Sequence, residues 1–239
     1  MPAEIPLIIT IDGPAGTGKS TVARLLAQRL GLQFLDTGAM YRAAAAIAID
    51  KGHIESIKRD DIGGFLEDVL DADLHFDWAI DPPPVLAWLR PLDERIRERD
   101  VSQLVSRIAA IGTLRKHMVQ KQRIIGHQHP RLVTEGRDQG SVVFPDAPVK
   151  FYLDALPEIR ARRRAKQLRE AGREVDETQL LIEIVDRDRL DSTRTDGPLL
   201  CADDAERLDT STFRIEQVVD ELEVRARKRL DDLDASYLL

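Results

Sequence analysis

Gly13, Gly18, Lys19 and Ser20 fill the pattern G-x-x-x-x-G-K-[ST] within the stretch GPAGTGKST. Glycines at this spacing let backbone N–H groups turn inward and approach phosphate oxygens closely. A helix starting near the lysine adds its positive N-terminal end. Pro14, Ala15, Gly16, Thr17 and Thr21 share the same backbone cradle. Lys19 offers a mobile ammonium to β- and γ-phosphates, and Ser20 offers a hydroxyl to Mg²⁺. The chemistry these residues point to is the binding of ATP or GTP with magnesium. Asp12, just before the loop, has two readings: it orients water around the metal, or it accepts hydrogen bonds from loop amides.

Transfer of a phosphoryl group needs a second anion held beside the first, with water kept out. Arginine suits that task because its charge is permanent and its fork matches phosphate oxygens. Three stretches beyond the loop carry such residues. DTGAMYR places Arg42 one residue after Tyr41, just past a strand-like run. TEGRDQG places Glu135, Arg137 and Asp138 at the end of another strand. In a parallel sheet both would lie on the carboxyl rim, the rim that also carries the phosphate loop. DRDRLDSTR supplies Arg187, Asp191 and Arg194 three or four residues apart, on one side if the helix continues through them.

The elements that must position these groups alternate between strand and helix. PLIITIDG reads as a buried strand, and the helix after the loop carries Val22, Leu25, Leu26 and Leu30 on one face before Gly31 stops it. LQFLDTG is a second strand, AMYRAAAAIAIDKG a helix ending near Gly52, and 58–70 another short helix. DLHFDWAI and PVLAWLR read as short strands separated by Pro82, Pro83 and Pro84. A single long amphipathic helix then carries Val101, Leu104, Val105, Ile108, Ile111 and Leu114. RLVTEG and VKFYLD are strands, 157–171 and 177–190 are helices, AERLDTS is a last strand, and FRIEQVVDELEVRARKRL a closing helix. This order predicts an α/β fold, a parallel sheet with helices on both faces.

Bulk properties narrow the partners. The chain has 239 residues and a net charge of −7, so it is not built as a whole to sit on a polyanion. Its one cysteine, Cys201, excludes an internal disulfide and reads as a small buried or half-buried thiol. MPAEIPLIITIDG has neither a basic start nor a long apolar run, which sets cytosol as the expectation. The chain has no asparagine, so an N-K-x-D guanine-reading motif and a protein-kinase catalytic-loop asparagine are both absent.

Taken together, IDGPAGTGKSTVA, FLDTGAMYRA, VSRIAA, EGRDQGSVVFPDAPVKFYLDA and DRDRLDSTR resemble the bacterial-type cytidylate kinases over about residues 5–230, in the family's order. The resemblance implies phosphorylation of CMP and dCMP by ATP with Mg²⁺, in pyrimidine nucleotide metabolism. It implies a P-loop NTPase-type core (1–73, 100–156 and 196–239), a small monophosphate-binding insertion (74–99) and a helical lid (157–195). By the same resemblance Ser106, Arg115 and Asp138 read the cytosine, and Arg187 and Asp191 hold the ribose hydroxyls. Arg42, Arg137 and Arg194 clamp the acceptor phosphate, with Thr37 and Tyr41 also on the acceptor side. Lys19, Arg137 and Arg194 are the expected catalytic residues. A carboxylate at Asp138 suits cytosine, whose 4-amino group uracil lacks. Ser106 and Arg115 fall nine residues apart on the expected long helix, which is two and a half turns and so not strictly one face.

The basic run EIRARRRAKQLRE reads either as a solvated helix face or, by the resemblance, as a lid in which Arg160 and Arg164 close over ATP. The insertion reads PPPVLAWLRPLDERIRERD where the family often has N-G-x-D-V-S…I-R-T, which leaves its shape open. The expectation is a cytoplasmic monomer acting on small molecules, without nucleic acid or membrane. The competing readings are a kinase for another nucleoside monophosphate or for a small hydroxyl compound such as shikimate, and a nucleotide-dependent switch or nucleic-acid-associated ATPase.

Overall fold

The computed structural model describes residues 7–170 and 172–237, with side chains through residue 231. Strand β1 (Leu7–Asp12) leads through the glycine loop into α1 (Lys19–Leu30) and β2 (Gln33–Asp36). Helices α2 (Thr37–Asp50), α3 (Ile54–Lys58) and α4 (Gly63–Asp71) follow, then short strands β3 (His75–Phe76), β4 (Val85–Ala87) and β5 (Arg90–Pro91). Helices α5 (Arg99–Ile108) and α6 (Gly112–Gln128) precede β6 (Arg131–Glu135) and β7 (Val149–Asp154). The chain closes with α7 (Pro157–Glu170), α8 (Glu177–Thr193), β8 (Glu206–Asp209) and α9 (Ile215–Tyr237). It divides into two compact units, one of residues 1–35 with 123–239 and one of residues 36–122.

The first unit is built on a five-stranded sheet in the order β2-β6-β1-β7-β8, with β6, β1, β7 and β8 parallel. Leu7, Ile9 and Ile11 of β1 point to one face, where they pack with Leu26 of α1, Phe151 of β7, and Val219 and Leu222 of α9. The opposite face carries Ile8, which lies beside Gly126 of α6 and near the Phe144 ring. Helices thus cover both faces, as the alternating pattern requires. Strand β1 has β6 on one side and β7 on the other, so the strand order reverses at its carboxyl end, where open parallel sheets form their ligand crevices. The register sets Ile11 beside Glu135 and Asp12 beside Tyr152, so the loop and the E-G-R-D turn leave the same rim.

The second unit gathers its helices around α2, whose residues Ala43 to Ala48 are all buried. Alanine leaves little side chain between backbones, so α4 and α5 pack closely on it. Strands β3, β4 and β5 form a small antiparallel sheet, with His75 opposite Leu86 and Leu86 opposite Pro91.

Three expected elements differ. The single helix through residues 101–114 is two helices, with a turn at residues 109–111. The apolar stripe stays in phase across that turn, so periodicity alone does not reveal it. The helix expected over 58–70 is α4, which begins only at Gly63, because α3 ends at Lys58 and Asp60 then takes the left-handed region at φ 62°. PVLAWLR is two strands joined at Trp88 and Leu89, both with positive φ (48° and 61°), although neither is a usual residue for such a turn. QGSVV (Gln139–Val143), to which the sequence pattern assigns no element, winds into a π-turn. Cys201 is exposed rather than buried, because its loop before β8 lies on the surface.

Leu26 is fully buried in the first unit's core. Leu26→Ala should therefore lower unfolding free energy by about 2–5 kcal/mol. Urea denaturation checks this, and a loss below about 1 kcal/mol would contradict the packing.

Candidate active site

The phosphate loop is held in place by close approach. Gly13 lies under the end of β7, and a Cβ there would sit 2.0 Å from the Leu153 carbonyl oxygen. Gly18, at φ 91°, caps α1 in the left-handed region with no side chain satisfying the first-turn amides, which stay available to an anion. The Pro14 carbonyl accepts hydrogen bonds from Thr17 Oγ1 (3.2 Å) and Lys19 Nζ (2.7 Å). Lys19 is buried, and its ammonium is held below the usual lysine range by desolvation first and then by the charge of Arg137, with Glu135 and Asp12 partly offsetting both. Ser20 Oγ donates to Glu135 Oε1 at 2.8 Å.

The second half of the rim is the turn after β6. The Asp12 carboxylate accepts from the Gln139 amide at 2.8 Å and the Gly140 amide at 2.7 Å. Of its two readings, the structure therefore shows contact with loop amides, although the loop is this turn and not the phosphate loop. Burial, helped by the nearby charge of Asp138, pushes the Asp12 carboxyl up to about 7 even against those two donors. Gly136 N–H donates to the Ile11 carbonyl at 3.0 Å, and the Asp138 carbonyl accepts from Val142 and Val143. Thr134 Oγ1 donates to Gln139 Oε1 at 2.9 Å, which fixes the turn from below. Asp138 is buried in this turn.

Helix α8 continues past residue 190, so Arg187 and Asp191 do share one side, while Arg194 lies just beyond its end. Arg137 Nε donates to Asp191 Oδ2 at 3.0 Å and Nη1 to the Gly136 carbonyl at 3.1 Å. Arg194 Nη1 is 3.9 Å from Asp191 Oδ1, and its Nε donates to the Gly197 carbonyl. Burial works to raise the Asp191 carboxyl, but Arg137, Arg187 and Arg194 outweigh it and hold it below the usual range. Burial likewise opposes charge on Arg137, and Asp191 and Glu135 more than offset it.

Two residues of α7 were expected at the nucleotide. Arg160 is buried and donates to the Ala155 carbonyl (2.8 Å) and the Ala15 carbonyl (3.0 Å), with Asp188 2.7 Å away. Arg164 is half-buried and donates to Gln167 Oε1 at 2.6 Å.

In the second unit, Asp36 caps α2 by accepting from the Ala39 amide at 2.9 Å, and its carboxylate also takes Arg42 Nη2 at 2.9 and 3.2 Å. Thr37 and Tyr41 are buried on the same helix. The Arg115 guanidinium lies 5.4 Å from the Tyr41 ring centroid, and Nη1 donates to the Ala109 carbonyl at 3.2 Å. The turn between α5 and α6 frees that carbonyl. Ser106 on α5 and Arg115 on α6 therefore belong to different helices, and the objection from their spacing on one helix falls away.

A family model described as cytidylate kinase matches residues 9–229. The chain belongs to the cytidylate kinase family. The cytidylate kinase of Pelotomaculum thermopropionicum is 46% identical over 213 residues, covering 88% of this chain and 92% of that protein. That of Corynebacterium glutamicum is 43% identical over 218 residues (90% and 92%), and that of Methylococcus capsulatus 42% over 212 residues (89% and 93%).

For a cytidylate kinase family member, the expected site residues divide between the units. The first unit contains the loop 13–21, Arg137, Asp138, Arg187, Asp191 and Arg194, together with Arg160 and Arg164 on α7. The second holds Thr37, Tyr41, Arg42, Ser106 and Arg115. Sequence reasoning did not single out Asp36, Gln139 or Asp188. An aspartate just before a helix-forming run is an N-cap signal that would have found Asp36. No local pattern points to the other two.

Phosphate bound beside Lys19 would restore the proton that burial and Arg137 disfavour. The lysine is held below its usual range in the free protein and an anion beside it would raise it, so between the two values binding should take up a proton and affinity should fall as pH rises. Calorimetry of ATP binding from pH 6.5 to 9, in two buffers of different ionisation enthalpy, should show proton uptake and weakening. PH-independent binding would contradict it.

Proposed function

We propose that the protein transfers the γ-phosphoryl group of ATP to CMP and dCMP, giving ADP and CDP or dCDP. The observation that carries this reading is a cluster of arginines (Arg137, Arg187 and Arg194) around Asp191 in the same unit as a phosphate loop, in a protein that is acidic overall. One anion needs the loop, and a second needs cations of its own, for which Arg137 and Arg194 serve. Membership of the cytidylate kinase family supports the nucleotide assignment.

In this reading the loop amides and Lys19 hold the β- and γ-phosphates and neutralise charge as it develops. Ser20 Oγ and the Glu135 carboxylate, hydrogen-bonded to each other beside the loop, are hard oxygen donors of the kind a small divalent cation uses one or two at a time. They fit Mg²⁺, which when bound supplies charge neutralisation on the β- and γ-phosphates. Arg137 and Arg194 align the acceptor phosphate, and Arg187 and Asp191 take the sugar hydroxyls. Asp138, held by a turn that Asp12 pins, accepts from the cytosine 4-amino group. In the second unit Arg42, Thr37, Tyr41, Ser106 and Arg115 serve the acceptor. No general base is required, because the attacking phosphate oxygen is already ionised. In-line transfer then rests on positioning and charge neutralisation.

The residues 74–99, which carry the three-stranded sheet, take the part of the monophosphate-binding insertion, and 157–195, with α7 and α8, that of the lid. The protein works as a cytoplasmic monomer in pyrimidine nucleotide metabolism, on small molecules and without nucleic acid or membrane. Its net charge of −7 disfavours a polyanion partner, and among the described residues no helix is long and apolar enough to cross a membrane.

A coupled ADP-release assay across CMP, dCMP, UMP, AMP and GMP tests the reading. Turnover should be highest with CMP and dCMP, and equal or better turnover with UMP or AMP would overturn the cytosine assignment. ATP hydrolysis stimulated by RNA or DNA, with no nucleotide acceptor, would overturn the kinase reading altogether. Asp138→Ala should reduce the CMP:UMP ratio of kcat/KM by about tenfold or more, and an unchanged ratio would remove its base-reading role.

A further inference from the structure

We propose that Arg160 and Asp188 form a positioning pair that sets the apex of the phosphate loop, so that Arg160 serves ATP through the Ala15 carbonyl and not by touching the nucleotide. The inference rests on the ATP-dependent reading above and adds to it a residue, Asp188, with no expected role.

Three observations support it. Arg160 lies in the first turn of α7 and its guanidinium is buried, 3% exposed, with Nε on the Ala155 carbonyl and Nη1 on both the Ala15 carbonyl and Asp188 Oδ2. Gly16 makes the approach possible: a Cβ there would sit 3.2 Å from Arg160 Cβ, tighter than most contacts, and its φ of 83° already favours glycine. Asp188 Oδ1 is buried without a hydrogen-bond partner, so the carboxylate is kept in an unfavourable place where its other oxygen meets Arg160.

The consequence for the loop follows from peptide geometry. A trans peptide is planar, with C=O and the next N–H pointing in opposite directions. Holding the Ala15 carbonyl from outside therefore aims the Gly16 N–H the other way. The preceding carbonyl, of Pro14, is held separately by Thr17 and Lys19. Two successive peptide planes at the loop apex are thus restrained from two sides, which sets donor directions before phosphate arrives. Asp188 follows Arg187 and precedes Asp191 by three residues on α8, so the pair also ties the loop to the helix that carries Arg187 and Asp191. Burial pushes the Asp188 carboxyl up, and Arg160 acts against that shift.

The experiment compares Arg160→Lys, Asp188→Asn and the double variant in the full chain. It reads equilibrium binding of a fluorescent N-methylanthraniloyl ATP, KM for ATP and for CMP, and Tm. Arg160→Lys, whose single ammonium cannot hold three oxygens in a fork, should weaken ATP binding by about tenfold. Asp188→Asn should weaken it severalfold while KM for CMP changes less, and the double variant should be no weaker than Arg160→Lys alone. If Arg160 touched ATP directly, Asp188→Asn would release it and leave ATP binding unchanged or improved; that outcome overturns the proposal. So do additive losses, or a fall in Tm with ATP affinity intact. Should Arg160→Lys fail to fold, Asp188→Asn alone decides by the same criterion. Wild-type turnover with CMP is scored separately: its absence would overturn the function above, while the ATP-binding comparison would still decide the pair.

Discussion

Burial of Lys19 beside the like charges of Arg137 and Arg187 is the constraint to which the carboxyl rim of the sheet is fitted. Each arginine adds to the burial that disfavours the Lys19 ammonium. Like charges held together out of water repel more strongly than they do in it, so the cluster needs opposite charge close by. The cluster persists because carboxylates are placed among the cations: Glu135 and Asp12 beside Lys19, Asp191 beside the arginines. A phosphate group entering there meets charges already desolvated and already aimed. Such a site recruits anions locally, in a chain whose net charge is −7.

The carboxylates do two kinds of work. Asp12 and Asp36, each at the end of a strand, accept amide hydrogen bonds and so fix the backbone of a turn. Asp191 and Asp188 hold guanidinium groups, fixing side chains that carry permanent charge. Asp36 does both, since it caps α2 and takes Arg42. Backbone fixed by one set and cations fixed by the other leave few rotamers to be ordered when nucleotide binds, which is how preorganised sites avoid an entropic cost at the moment of reaction.

Several elements were open to reading from local pattern alone. The phosphate loop is one, because glycine, lysine and serine at fixed spacing act through their own backbone and their own helix. The alternation of strand and helix is another, since period and punctuation are properties of neighbouring residues. The turn between α5 and α6 was not readable, because its apolar residues keep helical phase while the chain breaks. What stabilises that break is Arg115 reaching back to the Ala109 carbonyl, a buried cation needing an acceptor. Trp88 and Leu89 also hid their turn, having neither glycine nor asparagine to mark it. The π-turn after β6 depends on Asp12, a residue on another strand.

By itself the sequence determined that a triphosphate loop opens an α/β domain and that arginines wait at later strand and helix ends. Those features follow from residue type and short spacing. Tertiary structure alone decided which distant groups meet. Ser20 meets Glu135 across 115 residues of chain, Asp12 meets Gln139 across 127, and Arg160 meets Ala15 across 145. Hydrogen bonds and ion pairs act over a few ångströms with strict direction, and only the packed sheet brings such distant positions within that range.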